Sequence, residues 1–110
     1  MPTPHYPPAA ARRILRKLGG DMRDARLRRR LPMAVIADRA FTSRSTLQRV
    51  ESGDPNVGIG IYAAVLQALG LLEGLGGVAD PSRDSVGQAL VAAELPSRAR
   101  MRRPKGKIDA

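Results

Sequence analysis

Four polar side chains recur at helical spacing in the middle of the chain, and they carry hydrogen-bonding groups suited to the edges of nucleic-acid bases. They are Arg44, Ser45, Gln48 and Arg49, and the i,i+4 spacing within this set places all four on one side of a helix. The guanidinium group of an arginine can pair with O6 and N7 of a guanine together. This pattern predicts a helix that reads bases in the major groove of DNA.

A short helix, a tight turn and a second helix are predicted to position this polar face. Pro32 suits the first turn of a helix, where its missing N–H costs nothing, and that helix is expected over residues 33–39. Ser43 can cap the second helix, expected over residues 44–52, by accepting a backbone N–H. Gly53 is expected to end it in a left-handed conformation. The residues expected to face inward are Ile36, Ala37, Leu47 and Val50.

The charge of the chain favours a polyanionic partner. Its formal net charge is +9 and its isoelectric point is about 11.4. Residues 12–30 hold nine Arg and Lys against two Asp, and residues 98–110 hold six against one, whereas residues 31–60 are balanced. Two basic blocks around a neutral middle predict binding to nucleic acid. Charge alone would also allow RNA or an anionic membrane surface.

Several classes of function lack the residues they need. There is no cysteine, so disulfides and thiolate metal sites are excluded. The one histidine, His5, lies in a proline-rich start, and no serine or carboxylate has a histidine near it in sequence. We therefore expect no metal, no cofactor, no catalytic residues and no enzymatic activity.

No segment reaches the roughly 18 unbroken apolar residues of a membrane span. The longest apolar stretch, residues 57–72, contains Gln67 and several glycines, so it is expected to be a core helix. The N-terminus carries four prolines before its arginines and lacks an apolar signal core. We expect a cytoplasmic, nucleoid-associated protein with no membrane partner.

The chain as a whole predicts an all-α fold with a tail at each end. Aromatic residues make up only 3% of it, so Leu, Ile, Val and Ala must build the core, which favours a compact helical domain. The expected parts are a disordered arm (1–8), a helical domain (9–78), a linker with a short helix (79–97) and a basic tail, disordered when free (98–110).

The helices on either side of the central pair follow from periodicity and breakers. The first is expected over residues 9–30, with a kink permitted at Gly19-Gly20. The fourth is expected over residues 59–69 and a further turn over residues 71–75. Asp84 or Ser85 is expected to cap a last helix that Pro96 stops. The inward-facing residues are expected to be Ile14, Leu18, Met22 and Ala25 on the first helix and Ile61, Val65, Leu66 and Leu69 on the fourth.

From Leu18 to about Leu75 the chain resembles the Xre/Cro-type helix-turn-helix family. The residues that carry the resemblance are Leu18-Gly19, Met22-Arg23 and Arg26 in the first helix, Leu31, Ile36-Ala37 and Ala40 around the second, Ser43-Arg44-Ser45-Thr46-Leu47 with Val50-Glu51 and Gly53 in the third, and Ile61 to Leu71 in the fourth. The family implies a compact, lambda-repressor-like domain of about five helices. It also implies that the third helix lies in the major groove with its first residues at base edges.

The resemblance assigns roles to individual positions. By position, Arg44, Ser45 and Arg49 are the first candidates for base contacts, and Gln48 and Thr46 are the second. Phosphate contacts would fall to Arg23, Ser43, Ser52 and Asn56, and to the N–H groups that start the second helix at Met33. Arg26 and Glu51 occupy positions that commonly form an ion pair between the first and third helices.

Three residues depart from the family pattern. Met33 stands where the family often has glutamine at the start of the second helix. Phe41 stands where the turn usually carries glycine, so its backbone must avoid a left-handed angle or tolerate strain. Asp54 stands where the family often has a basic residue, and its carboxylate would repel phosphate.

The order of parts also resembles the antitoxin of a HipA/HipB-type toxin–antitoxin module, through the SRSTLQRVESGDP stretch, a leucine-rich fourth helix, an acidic linker and a basic tail. That resemblance implies a homodimeric repressor of its own operon that binds double-stranded DNA at a palindromic operator and a HipA-like kinase toxin. A stand-alone regulator without a toxin is the alternative. A basic adaptor or RNA-binding protein is a third, disfavoured by having only Tyr6, Phe41 and Tyr62 to stack on bases.

Overall fold

A computed structural model describes residues 5–102 of the chain, with side chains as far as residue 94. Every regular element in that part of the chain is helical, which confirms the predicted all-α class. The elements are α1 (Ala9–Arg28), α2 (Met33–Arg39), α3 (Arg44–Glu51), α4 (Ile59–Leu69), α5 (Leu72–Gly76), a 3₁₀ turn (Pro81–Arg83) and α6 (Ser85–Arg102). The chain divides into two compact units, and the boundary lies between Leu75 and Gly76.

The first unit is a helix-turn-helix domain in which four helices enclose one apolar core. Its largest fully buried side chains are Met22 from α1, Ile36 from α2, Leu47 and Val50 from α3, and Val65 from α4. The helices α1 and α2 each contact both α3 and α4, and α3 also contacts α4, so α3 is held by three other helices. This packing fixes the direction in which the outer face of α3 points.

Four helices of the first unit end in the same way, with a left-handed residue after the last turn. These residues are Arg30 (φ 54°), Phe41 (φ 55°), Gly53 (φ 76°) and Gly70 (φ 78°). At each end two backbone N–H groups reach back to the last turn, as in the Schellman motif. After α2, for example, Phe41 N donates to Asp38 O at 3.1 Å and Thr42 N to Ala37 O at 2.9 Å. The predicted left-handed end at Gly53 is therefore confirmed.

The second unit contains the 3₁₀ turn and α6. Asp80 accepts the N–H of Ser82 at 2.8 Å and caps the turn, and Asp84 accepts the N–H of Gly87 at 2.9 Å and caps α6. The Gln88 side chain donates to Pro81 O at 2.6 Å, which ties the two elements together. Of the two caps predicted for the last helix, the structure uses Asp84.

Three sequence predictions about the helices are wrong or incomplete. Pro96 does not stop the last helix: α6 continues to Arg102, because proline removes only one N–H donor and the residues around it are mostly strong helix formers. Residues 98–102 of the predicted tail therefore lie in α6, and residues 103–110 lie outside the described part. Ile14 is 64% exposed because it lies one turn before Leu18, the first α1 side chain that packs against the core. Tyr62, not Ile61, is the fully packed residue in the first turn of α4.

The predicted arm also makes contacts where it is described. Residues 1–4 lie outside the described part, and residues 5–8 run into the start of α1. Pro7 is buried and its carbonyl accepts a hydrogen bond from the Arg12 guanidinium, which also lies 4.3 Å from the centre of the Tyr6 ring. No break interrupts α1 at Gly19-Gly20.

Candidate nucleic-acid interface

The polar face of α3 is held outward by a cap at its start and by buried residues behind it. Ser43 Oγ accepts the N–H of Thr46 at 3.1 Å, as predicted for the N-cap. Leu47 and Val50 are fully buried on the opposite side of the helix. Arg44 is therefore exposed at the first position of α3, and Gln48 is exposed one turn later.

The five predicted base-contact residues differ in how free their polar groups are. The Arg44 and Gln48 side chains are exposed and make no hydrogen bond or ion pair with any described residue. Ser45 is exposed, with its hydroxyl 3.1 Å from that of Ser43. Thr46 is half-buried and its hydroxyl accepts a hydrogen bond from Ser43 at 3.0 Å. Arg44, Gln48 and Ser45 therefore present free or exchangeable polar groups at the surface.

Arg49, the fifth of these residues, is tied to a carboxylate. Its Nε lies 2.8 Å from Oδ2 of Asp54, and the two side chains are 50% and 25% exposed. The hydrogen bond from Arg49 lowers the pKa of Asp54, and the N–H of Asn56 adds to that effect by donating to Oδ1 at 2.8 Å. The positive charge of Arg49 is thus compensated within the protein. The sequence predicted that the Asp54 carboxylate would repel phosphate, and it gave no sign of this contact with Arg49.

Tyr62 holds the loop that follows α3 from the side of the core. Its side chain is 5% exposed and its hydroxyl donates to the backbone carbonyl of Asp54 at 2.8 Å. Burial, helped by the nearby Asp54 carboxylate and opposed by Arg49, raises the pKa of Tyr62 to about 12. Sequence reasoning missed this residue, although a lone tyrosine among aliphatic residues is a signal that its hydroxyl needs a buried partner.

The predicted ion pair between α1 and α3 is present. Arg26 Nε lies 2.7 Å and Nη2 3.2 Å from the two carboxylate oxygens of Glu51, and Arg26 Nη1 donates to Leu31 O at 3.0 Å. The side chains are only 9% and 7% exposed. The hydrogen bond to Glu51 raises the pKa of Arg26. The pair connects the end of α1, the loop to α2 and the last turn of α3.

Two glycines let α1 and the end of α3 touch backbone to backbone. A Cβ at Gly19 would stand 2.5 Å from the carbonyl oxygen of Val50 and 2.6 Å from the nitrogen of Gly53. A Cβ at Gly53 would collide with the backbone of Leu15 and Arg16. Glycine is required at both positions because no side chain fits between the backbone of α1 and the backbone at the end of α3. The contact and the Arg26–Glu51 pair together fix α3 against α1.

The predicted phosphate contacts lie on separate elements. Arg23 is exposed on α1, and Ser43, Ser52 and Asn56 are exposed at the two ends of α3 and in the loop that follows. The Ser52 hydroxyl donates to Arg49 O at 2.8 Å, and the Asn56 N–H is used by Asp54. Met33 is half-buried at the first position of α2, where its side chain packs against the core. Only its backbone N–H is oriented by the helix start as the prediction requires.

Within residues 5–94, no three His, Asp or Glu side chains stand together in a group that could hold a metal ion. In the part of the chain that the structure describes, none of the helices combines the length and apolar character needed to cross a bilayer. Comparison with protein-family models, curated proteins and solved structures finds no match for this chain.

Proposed function

We propose that this chain is a sequence-specific DNA-binding protein that represses transcription, with α3 as the helix that enters the major groove. The observation that carries the proposal is the outer face of α3, where Arg44, Ser45 and Gln48 are exposed on a helix fixed from behind. A helix in the groove needs this combination, because base contacts depend on side chains held in register by a rigid support. Arg44, in the first turn, would be the principal base contact.

The charge around α3 supports a duplex as the target. Residues 12–60 contain twelve Arg and Lys against five Asp and Glu, and most of the cations are exposed. Cations that replace counterions at the phosphates supply the sequence-independent part of the affinity. Arg23 on α1 and the exposed N-terminal end of α3 are the groups that would provide these contacts here.

Selection from a pool of random duplexes tests the proposal. We expect the intact chain to enrich one sequence, and Arg44→Ala to relax the preference at one or two base pairs by roughly tenfold, since a bidentate arginine–guanine pair contributes about 1–3 kcal/mol of discrimination. Circular dichroism checks that the variant keeps its helices. Arg28→Ala is the matched control, because Arg28 is also exposed but lies in the last turn of α1. Failure of the intact chain to enrich any duplex would overturn the proposal.

We also propose the finer role that the sequence resemblance implies. A homodimer on a palindromic operator would read two half-sites about 34 Å apart and so multiply the specificity of a small domain. An antitoxin would in addition bind a HipA-like kinase toxin, and a chromosome-bound protein of this kind would be located in the cytoplasm. Purification of the native complex followed by mass spectrometry separates the antitoxin from a stand-alone regulator: a kinase in the complex supports the first, and its absence supports the second.

A further inference from the structure

The turn between α2 and α3 carries a side chain that the fold itself does not use. Phe41 is the only phenylalanine of the chain, and it is 95% exposed. Its backbone is left-handed at φ 55°, a conformation that is unfavourable for a bulky residue and open to glycine. Both the backbone and the ring are therefore in unfavourable states in the free protein.

The hydrogen bonds of the turn do not require a phenylalanine. Phe41 contributes only its backbone, whose N–H donates to Asp38 O, while Thr42 N closes the turn on Ala37 O. At the equivalent position after α3, Gly53 closes the same pair of bonds with no side chain. Glycine at position 41 would keep both bonds and remove the strain. No contact within the described part of the chain therefore accounts for a phenylalanine at this position.

The place of Phe41 in the chain points to the partner of α3. It lies three residues before Arg44, so its Cα is within about 11 Å of the first residue of that helix. The exposed charged residues around it in sequence are Asp38, Arg39 and Arg44. The two arginines outweigh the one carboxylate and are suited to phosphate and to base edges, which disfavours an apolar protein as the target. Duplex DNA offers two apolar surfaces to an aromatic ring, the 5-methyl group of thymine and the deoxyribose.

We infer that Phe41 is an additional DNA contact, whose ring packs on an apolar surface of the duplex beside the first turn of α3. The inference rests on the proposed function and adds a residue to its interface. On binding, the ring is removed from water, which is favourable because the ring is exposed in the free protein. Phe41 therefore contributes affinity, and where its target is a thymine methyl group it also contributes sequence preference.

Phe41→Gly tests the inference because folding and binding should change in opposite directions. We expect a higher melting temperature, since the strain is removed, and a dissociation constant raised about tenfold for the duplex enriched by the intact chain. The slope of affinity against salt should not change, because no ion contact is lost. Phe41→Asn is the second variant, since asparagine tolerates the left-handed conformation but has no ring.

Arg30→Gly is the matched control. Arg30 has the same left-handed conformation (φ 54°) at the end of α1 and is also exposed, so glycine should raise the melting temperature there too. Any loss of affinity in this variant should reduce the salt slope by about one unit per phosphate contact, which distinguishes a lost charge from a lost ring.

The outcomes separate the inference from the proposed function. If the intact chain enriches a duplex and both Phe41 variants bind it as tightly as the wild type, the inference is wrong and the proposed function stands. If the variants bind more weakly, a duplex with deoxyuridine in place of thymidine identifies the surface. Weaker binding of that duplex by the wild type indicates the thymine methyl group, and unchanged binding indicates the deoxyribose. If the intact chain enriches no duplex, the proposed function is wrong, and the inference that rests on it is wrong as well.

Discussion

The carboxylate of Asp54 decides how much of the positive charge on α3 is available to a ligand. It pairs with Arg49 at 2.8 Å and also accepts the N–H of Asn56, so it orients two of the residues predicted to touch DNA. Because the contact with Arg49 holds the pKa of Asp54 below its ordinary value, the pair persists into mildly acidic solution. Its contribution is present above pH 3.8 and is lost as the pH falls through the lowered pKa.

Replacement of Asp54 by Asn should raise the affinity for duplex DNA severalfold, because a carboxylate that faces phosphate is removed and Arg49 is released. The salt dependence should become steeper by up to one unit. Fluorescence anisotropy over a range of salt concentrations measures both quantities. Asp24→Asn is the control, since Asp24 is exposed on α1 and makes the same change in net charge. Equal effects of the two substitutions would mean that only net charge matters.

Tyr62 makes the folded state sensitive to alkaline pH. Its pKa in the folded protein is raised from 10.0 to about 12, chiefly by burial, so an unfolded chain loses this proton first. The stabilisation is complete below pH 10 and is lost as the pH rises through 12. Urea unfolding at pH 9 and pH 11 should therefore show a fall in the free energy of unfolding that Tyr62→Phe reduces. A variant with the same pH dependence as the wild type would contradict this assignment.

At the scale of elements, two adjacent glycines of α1 provide a test of the joint with α3. Gly19→Ala places a Cβ against the backbone of Val50 and Gly53 and should destabilise the domain by about 1–3 kcal/mol. Gly20→Ala meets nothing within 4 Å and should stabilise it by about 0.5–1 kcal/mol, because alanine is the better helix former. Chemical denaturation of the two variants measures the difference. Equal stabilities would show that α1 and α3 are not in contact at this point.

Helix positions were predictable where local signals determine them. The bounds of α2 and α4 and the cap at Ser43 follow from proline, glycine and serine at helix ends, and the structure has them where the sequence predicts them. The exposure of Ile14 was not predictable, because its spacing is that of a buried residue and only the extent of the core decides the matter. The continuation of α6 through Pro96 is similar, since a local penalty was outweighed by the residues around it.

The candidate site was predictable in outline and not in its contacts. Periodicity alone placed Arg44 and Gln48 on the outer face of α3, and they are exposed there. The pairing of Arg49 with Asp54 depends on how the loop after Gly53 turns back, which no spacing rule encodes. The left-handed backbone of Phe41 was one of two conformations that the sequence left open.

For the whole molecule, the distribution of charge predicts a role for the C-terminal segment. Residues 98–110 hold six Arg and Lys against one Asp. A chain that ends at Ser97 should bind all duplexes more weakly and with a flatter salt dependence, because fewer counterions are released. Binding titrations at several salt concentrations measure the slope. A full-length chain in which those six residues are glutamine is the control, and an unchanged slope in both would indicate a protein partner for the segment.

For the proposed DNA-binding function, the backbone contact at Gly19 and Gly53 has a consequence for which duplexes are bound. Because α3 contacts the backbone of α1 at its C-terminal end and is held there by a buried ion pair, it has little freedom to tilt. The cost of adjusting a mismatched fit then falls on the duplex, whose base-pair steps differ in how readily they roll and unstack. Two operators with identical contacted bases should consequently differ in affinity when the uncontacted base pairs between those bases differ in stiffness.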